Sequence, residues 1–127
     1  MNLEGIVIYV SKYSVKETID RLQEFLQQHG ATIYARIDQQ AEVQKAGLDI
    51  LALEFIMFGN PKVGGELMAQ NPLVALDLPL KIIAWEDNQK KVLLACNDAK
   101  YIEERYSLLH NENTPLNLEG LIANILD

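Results

Sequence analysis

Two segments of this chain are apolar on both of their alternating sides, which constrains its fold more than any other feature. Between Ile50 and Phe58 the single charge is Glu54. In a strand, Leu51, Leu53, Phe55 and Met57 point one way, and Ile50, Ala52, Ile56 and Phe58 the other. Leu80 to Glu86 repeats the pattern, with Ile83 and Trp85 opposite Leu80, Ile82 and Ala84. A lone antiparallel sheet with helices on one face should alternate apolar and polar residues. Only Thr32 to Ile37 alternates cleanly, with Thr32, Tyr34 and Arg36 against Ile33, Ala35 and Ile37. Something must therefore cover the second face. Either the chain's own short helices wrap around it, or partial coverage is completed by a second copy, and a symmetric homodimer is the expectation here.

The elements around these strands are marked by local signals. Ser14 and Glu17 form an S-x-x-E capping box, and Val15, Ile19, Leu22 and Leu26 follow as one apolar stripe. Gly30 stands where a left-handed helix stop belongs, so a helix is predicted over Ser14 to His29. Leu3 to Val10 precedes it as a strand, and Asp38 caps a short helix ending at Gly47. A polar, glycine-containing stretch runs from Gly59 to Asn71, helical only over Glu66 to Gln70. Leu80 to Glu86 and Lys91 to Cys96 form a hairpin around Asp87-Asn88-Gln89-Lys90. Asp98 then caps a helix with Ile102, Tyr106 and Leu109 on one face, and Asn117 opens a last short helix carrying Leu118, Leu121, Ile122 and Ile125. The order β-α-β-(α)-β-β-β-α-α leaves strands unseparated by helices. That argues against a doubly wound parallel sheet and favours an α+β sandwich.

The 127 residues, 49% apolar and 23% charged, are expected to form one domain over 1–127 with no need of a metal or disulfide staple. The net charge is −7, and the whole acidic excess lies after Ile37. Such a surface repels phosphates, so nucleic acid and anionic membranes are not expected partners. The one cysteine, Cys96, fits a reducing compartment. With neither a membrane-length apolar run nor a secretory start, a cytoplasmic location is expected.

Four segments in order, Ser14-Val15-Lys16-Glu17-Thr18 through Gly30, Ala35-Arg36-Ile37-Asp38, Phe58-Gly59-Asn60-Pro61 and Leu76-Asp77-Leu78-Pro79-Leu80, resemble domain-of-unknown-function family 302 of small bacterial and archaeal proteins. The resemblance covers roughly residues 5 to 100. It implies a curved, mainly antiparallel sheet of about five strands with a long helix packed across it, TATA-box-binding-protein-like, and a homodimer. It implies no activity, and the fold label carries no DNA binding with it.

The stretch Phe58 to Glu66 is the most suggestive for chemistry. Glycines admit a ligand close to the backbone, and free N–H groups at a helix start attract anions. Asn60, Lys62, Gly64 and Gly65 are the candidate ligand-binding residues, Lys62 supplying a charge and Asn60 an amide. No P-loop pattern is present, and an ordinary turn explains the same residues. His29 and His110 lack partners at ligand spacing, so no metal is expected. His29 reads as a partner of the helix C-terminus and Cys96 as a buried structural residue. Asp38 and Asp77 form an acid/base pair only if the fold joins them. Tyr9, Tyr34, Phe55, Phe58 and Trp85 read either as core or as the lining of an apolar cavity. The expected function is a non-catalytic dimeric module, without a cofactor, that binds a small molecule or protein partner. The alternative is a cofactor-independent enzyme acting on a small polar substrate through Asp or Lys.

Overall fold

The computed structural model describes residues 3–127. Five strands, β1 (Ile6–Ser11), β2 (Thr32–Asp38), β3 (Leu53–Gly59), β4 (Leu80–Glu86) and β5 (Val92–Asn97), form one open sheet in the order β1-β5-β4-β3-β2. Every neighbouring pair is antiparallel. The helices are α1 (Val15–Gln28), α2 (Gln39–Lys45), α3 (Pro61–Gln70), α4 (Ala99–Arg105) and α5 (Glu119–Leu126), with a 3-10 turn at Pro72–Leu76. The α+β class and the five antiparallel strands agree with the sequence pattern.

Consecutive strands β1 and β2 occupy opposite edges, so the segment joining them must cross the sheet. The 14 residues of α1 give about 21 Å of helix, and four interstrand gaps span about 19 Å. The helix is therefore as long as the sheet is wide. Ser14 starts it by accepting a hydrogen bond from Glu17 N at 3.1 Å, and Gly30, at φ +75°, ends it. His29 Nδ1 reaches the Phe25 carbonyl at 2.8 Å, and its ring stacks on Phe25. Ile19 and Leu22, fully buried, meet Ile56, Ile82 and Leu94 on the sheet. Each such side chain contributes about 2 kcal/mol by leaving water. Helix α5 closes the same core with Leu118, Ile122 and Ile125. It is tied to α1 by Arg21, which donates to the carbonyls of Ile125 at 2.6 Å and Asp127 at 3.0 Å. A second, smaller core gathers Val74, Ile102, Tyr106, Leu108 and Leu116.

The opposite sheet face carries a row drawn from all five strands: Ile8, Ala95, Ile83, Phe55 and Ile37, each paired with the next. Val10, Leu93, Trp85 and Leu53 form a second row beside it. Phe55 and Ala95 are buried, the former under the Lys81 ammonium at 4.5 Å, while Val10 is 59% exposed.

Several element boundaries differ from the sequence pattern for physical reasons. β1 begins at Ile6, because Gly5 makes a turn at φ +79° with its α-carbon against the Tyr101 ring. β3 begins at Leu53, and Leu48, Ile50 and Leu51 are exposed. The stretch after Gly59 is a full helix rather than a loop with a late turn. Asn60 caps it and Pro61 takes its first position, where a missing N–H costs nothing. Leu109 is 76% exposed and Leu108 is buried instead, because Ser107 at φ +53° ends α4 and shifts the register.

Candidate functional site

A cavity of about 470 Å³ opens where the two cores meet. Leu26 at the end of α1, Ala31, and Phe58 and Gly59 at the end of β3 form one side. Val63, Gly64, Leu67 and Met68 of α3 face them, and Leu78 to Leu80 and Pro115-Leu116 complete the wall. A β-bulge between Ile33 and Ala35 takes Tyr34 out of the ladder, and its ring covers Gly59 at the cavity rim. Leu80 belongs to both cores, so the cavity depends on all these segments docking together. Among the described residues, no Asp, Glu, Lys, Arg or His lines it.

Of the four residues singled out in the sequence, Asn60 and Gly64 line the cavity, while Lys62 and Gly65 do not. Asn60 Oδ1 accepts from Lys62 N at 3.0 Å and Val63 N at 3.4 Å, which is a helix cap. Gly64 N donates to the Asn60 carbonyl at 2.8 Å, and Pro61 has no N–H to give. The start of α3 therefore has no free donor among its first four residues to hold an anion.

The paired-carboxylate arrangement does not form. Asp38 pairs with Glu54, which pairs with Ala84, so it lies level with the end of β4 remote from Asp77. Asp38 caps α2 through Ala41 N at 2.9 Å. Asp77 accepts from Arg105 at 3.0 Å and from the Tyr106 hydroxyl, and that hydrogen bond holds the Tyr106 phenol above its ordinary pKa. Both carboxylates are thus engaged in structural bonds.

Cys96 is buried, and burial, with the charge of Asp98 adding to it, pushes its thiol up to about 11. It borders a separate polar depression of about 480 Å³ that also touches Tyr9, Glu103 and His110. Glu103 is occupied there by Asn111 N at 3.1 Å and His110 Nδ1 at 3.4 Å. A thiol held protonated at neutral pH is not a nucleophile. Among the described residues no three His, Cys, Asp or Glu side chains gather as a metal set requires.

Sequence reasoning found the β3–α3 junction because of its glycines and asparagine. It missed the walls supplied by Leu26, Leu78, Pro115 and Leu116. Nothing in their local sequence marks these residues as cavity walls, because only the docking of distant segments brings them together.

The chain resembles proteins of known name and structure. It is 39% identical over 104 residues to "Fluoride-specific ion channel FluC 1" of Brucella suis biovar 1 (strain 1330), covering 82% of this chain and 41% of that protein. It is equally similar to "Fluoride-specific ion channel FluC 2" of Brucella melitensis biotype 1, of which it covers 38%. The chain thus spans about two fifths of the length of these curated relatives. No described helix is long and apolar enough to cross a membrane. The crystal structure of an uncharacterised conserved DUF302 protein from Bacillus stearothermophilus shares the fold, with a TM-score of 0.77 at 20% identity over 98% of both chains. The family model "Domain of unknown function DUF302" matches residues 7–125, well past the stretch whose motifs suggested it and into α5, and the chain belongs to that family.

Proposed function

We propose that this protein is a non-catalytic module that pairs with a second copy and binds a small molecule in the cavity beside α3. The cavity is the observation that carries the reading. At about 470 Å³ it falls in the range of small-molecule sites, and four separate parts of the chain build it. The separation of Asp38 from Asp77 and the protonated state of Cys96 weigh against the enzymatic alternative. The rows of apolar side chains crossing the open sheet face support pairing, because a face of this kind gains by leaving water.

The channel activity named for the Brucella proteins belongs to whole chains of which this one matches two fifths, and it is not carried over. Native mass spectrometry of freshly purified protein tests the proposal. The expected mass is twice the chain plus a bound adduct, and a bare monomer overturns it.

A further inference from the structure

We propose that the cavity selects an uncharged, apolar ligand, and that Gly64 is the residue that keeps it open. This rests on the small-molecule reading above and names the chemistry that reading leaves open. Three observations carry it.

The first concerns charge. A carboxylate, phosphate or ammonium placed against these walls would leave water for a lining that holds no charged side chain among the described residues. The second concerns the start of α3, the obvious place for an anion. Its amides are already consumed by Asn60 or absent at Pro61, and Lys62 is exposed outside the lining. The polar side chains of the lining are Asn60 and Tyr34, and neither the Asn60 amide nitrogen nor the Tyr34 hydroxyl is hydrogen-bonded among the described residues. They suit one neutral acceptor on an otherwise apolar molecule.

The third concerns the glycine itself. Gly64 lies inside α3, where glycine weakens a helix. Backbone geometry does not require it, because Gly64 is not among the glycines with positive φ. Packing does not require it either. A β-carbon there first meets Met68 Cε at 3.9 Å, an ordinary contact with a flexible chain end. Helix α3 buries no side chain completely, so it has little packing to offset the loss. Gly64 shares one face of α3 with Leu67 and Met68, both of which line the cavity, and its β-carbon would first meet Met68, so a larger side chain there extends along the cavity wall and takes up its space. Gly65 beside it has equal room for a β-carbon and does not line the cavity.

The test compares two fluorescent probes of the same ring system, neutral N-phenylnaphthylamine and its sulfonated analogue anilinonaphthalene sulfonate. Each is titrated into the wild-type protein and into Gly64→Leu and Gly65→Ala, with melting curves confirming folding. The inference expects the neutral probe to bind wild type at least about tenfold more tightly than the sulfonate. It expects Gly64→Leu to weaken the neutral probe about tenfold or more, and Gly65→Ala to leave it unchanged. The Leu variant also separates the cavity from the sheet face, which it does not touch.

Equal or tighter binding of the sulfonate overturns the inference, as does neutral-probe binding that survives Gly64→Leu in a folded protein. If Gly64→Leu fails to fold, the preference between the two probes on wild type decides. An adduct already present in native mass spectra decides by its own charge, a neutral one supporting the inference and an ion overturning it. An ionic adduct without neutral-probe binding sinks this inference alone. Absence of any adduct and of both probes sinks the small-molecule reading with it.

Discussion

Arg36 on β2 and Glu54 on β3 are joined by a hydrogen bond of 3.1 Å from Nε to Oε1, and their side chains are only 24% and 11% exposed. The same guanidinium donates to Asp20 at 2.7 Å and Gln23 at 3.0 Å on α1. One edge-strand arginine thus fastens the far end of the sheet to the crossing helix. Removing it leaves the Glu54 carboxyl nearly dry and without its cation. Arg36→Met is expected to lower stability by about 3 kcal/mol in urea denaturation, and the double variant Arg36→Met/Glu54→Leu by less than that. Equal losses would show that the ion pair, rather than the orphaned carboxylate, carries the effect.

Asp20 links this cluster to acid sensitivity. Hydrogen bonds from Lys16 and Arg36 hold its carboxyl below the usual value. Between the folded and unfolded pKa values the unfolded chain binds the proton and the folded one does not, so stability rises with pH across that window. The contribution is complete above the unfolded value of roughly 4 and is lost as pH falls through the depressed folded one. Asp20→Asn should flatten the acid limb of a stability–pH curve, and added salt should flatten the wild-type limb because the pair is partly exposed.

With its thiol at about 11, only about one Cys96 in a thousand is ionised at pH 8, against roughly a quarter of ordinary thiols. Burial and the protonated state together should make native protein react with a disulfide reagent at least about tenfold more slowly than the unfolded chain. Immediate stoichiometric reaction of the native protein would contradict both the burial and the protonated state.

Glycine substitutions should split by position. Gly65→Ala should raise stability by about 0.5–1 kcal/mol, because the helix gains and a β-carbon meets nothing within 4 Å. Gly30→Ala should lower it by about 1 kcal/mol, since φ is +75° there. Gly5→Ala should cost more than Gly30→Ala, because its β-carbon would also come within 2.5 Å of the Tyr101 ring. Thermal melts of the three variants check the order.

The sheet face opposite α1 offers a test of pairing that leaves the main core untouched. Ile83 sits at the middle of the apolar row, between Ala95 and Phe55. Ile83→Lys is expected to keep the circular dichroism of the wild type and to appear as a monomer in native mass spectra. A dimer that survives the lysine places the interface elsewhere.

Sequence by itself determined the elements whose signals are local. The Ser14 cap, the four-three-four apolar spacing and Gly30 delimit α1 because each acts on its own backbone within one turn. Asp38, Gly47 and Asp98 did the same for α2 and α4. The cap at Asn60 was legible in principle, but two interior glycines obscured the helix that follows. Leu109 misled because the helical period was carried past Ser107, where a positive φ breaks it. Only the tertiary structure decided that β1 and β2 stand at opposite edges, that Asp38 and Asp77 lie apart, and that Leu26, Leu78 and Leu116 share one cavity. The physical reason is the range of the forces involved. Caps and turns are settled by neighbours in the chain, whereas strand order and cavity walls are settled by which distant apolar surfaces leave water together, and burial is blind to separation in sequence.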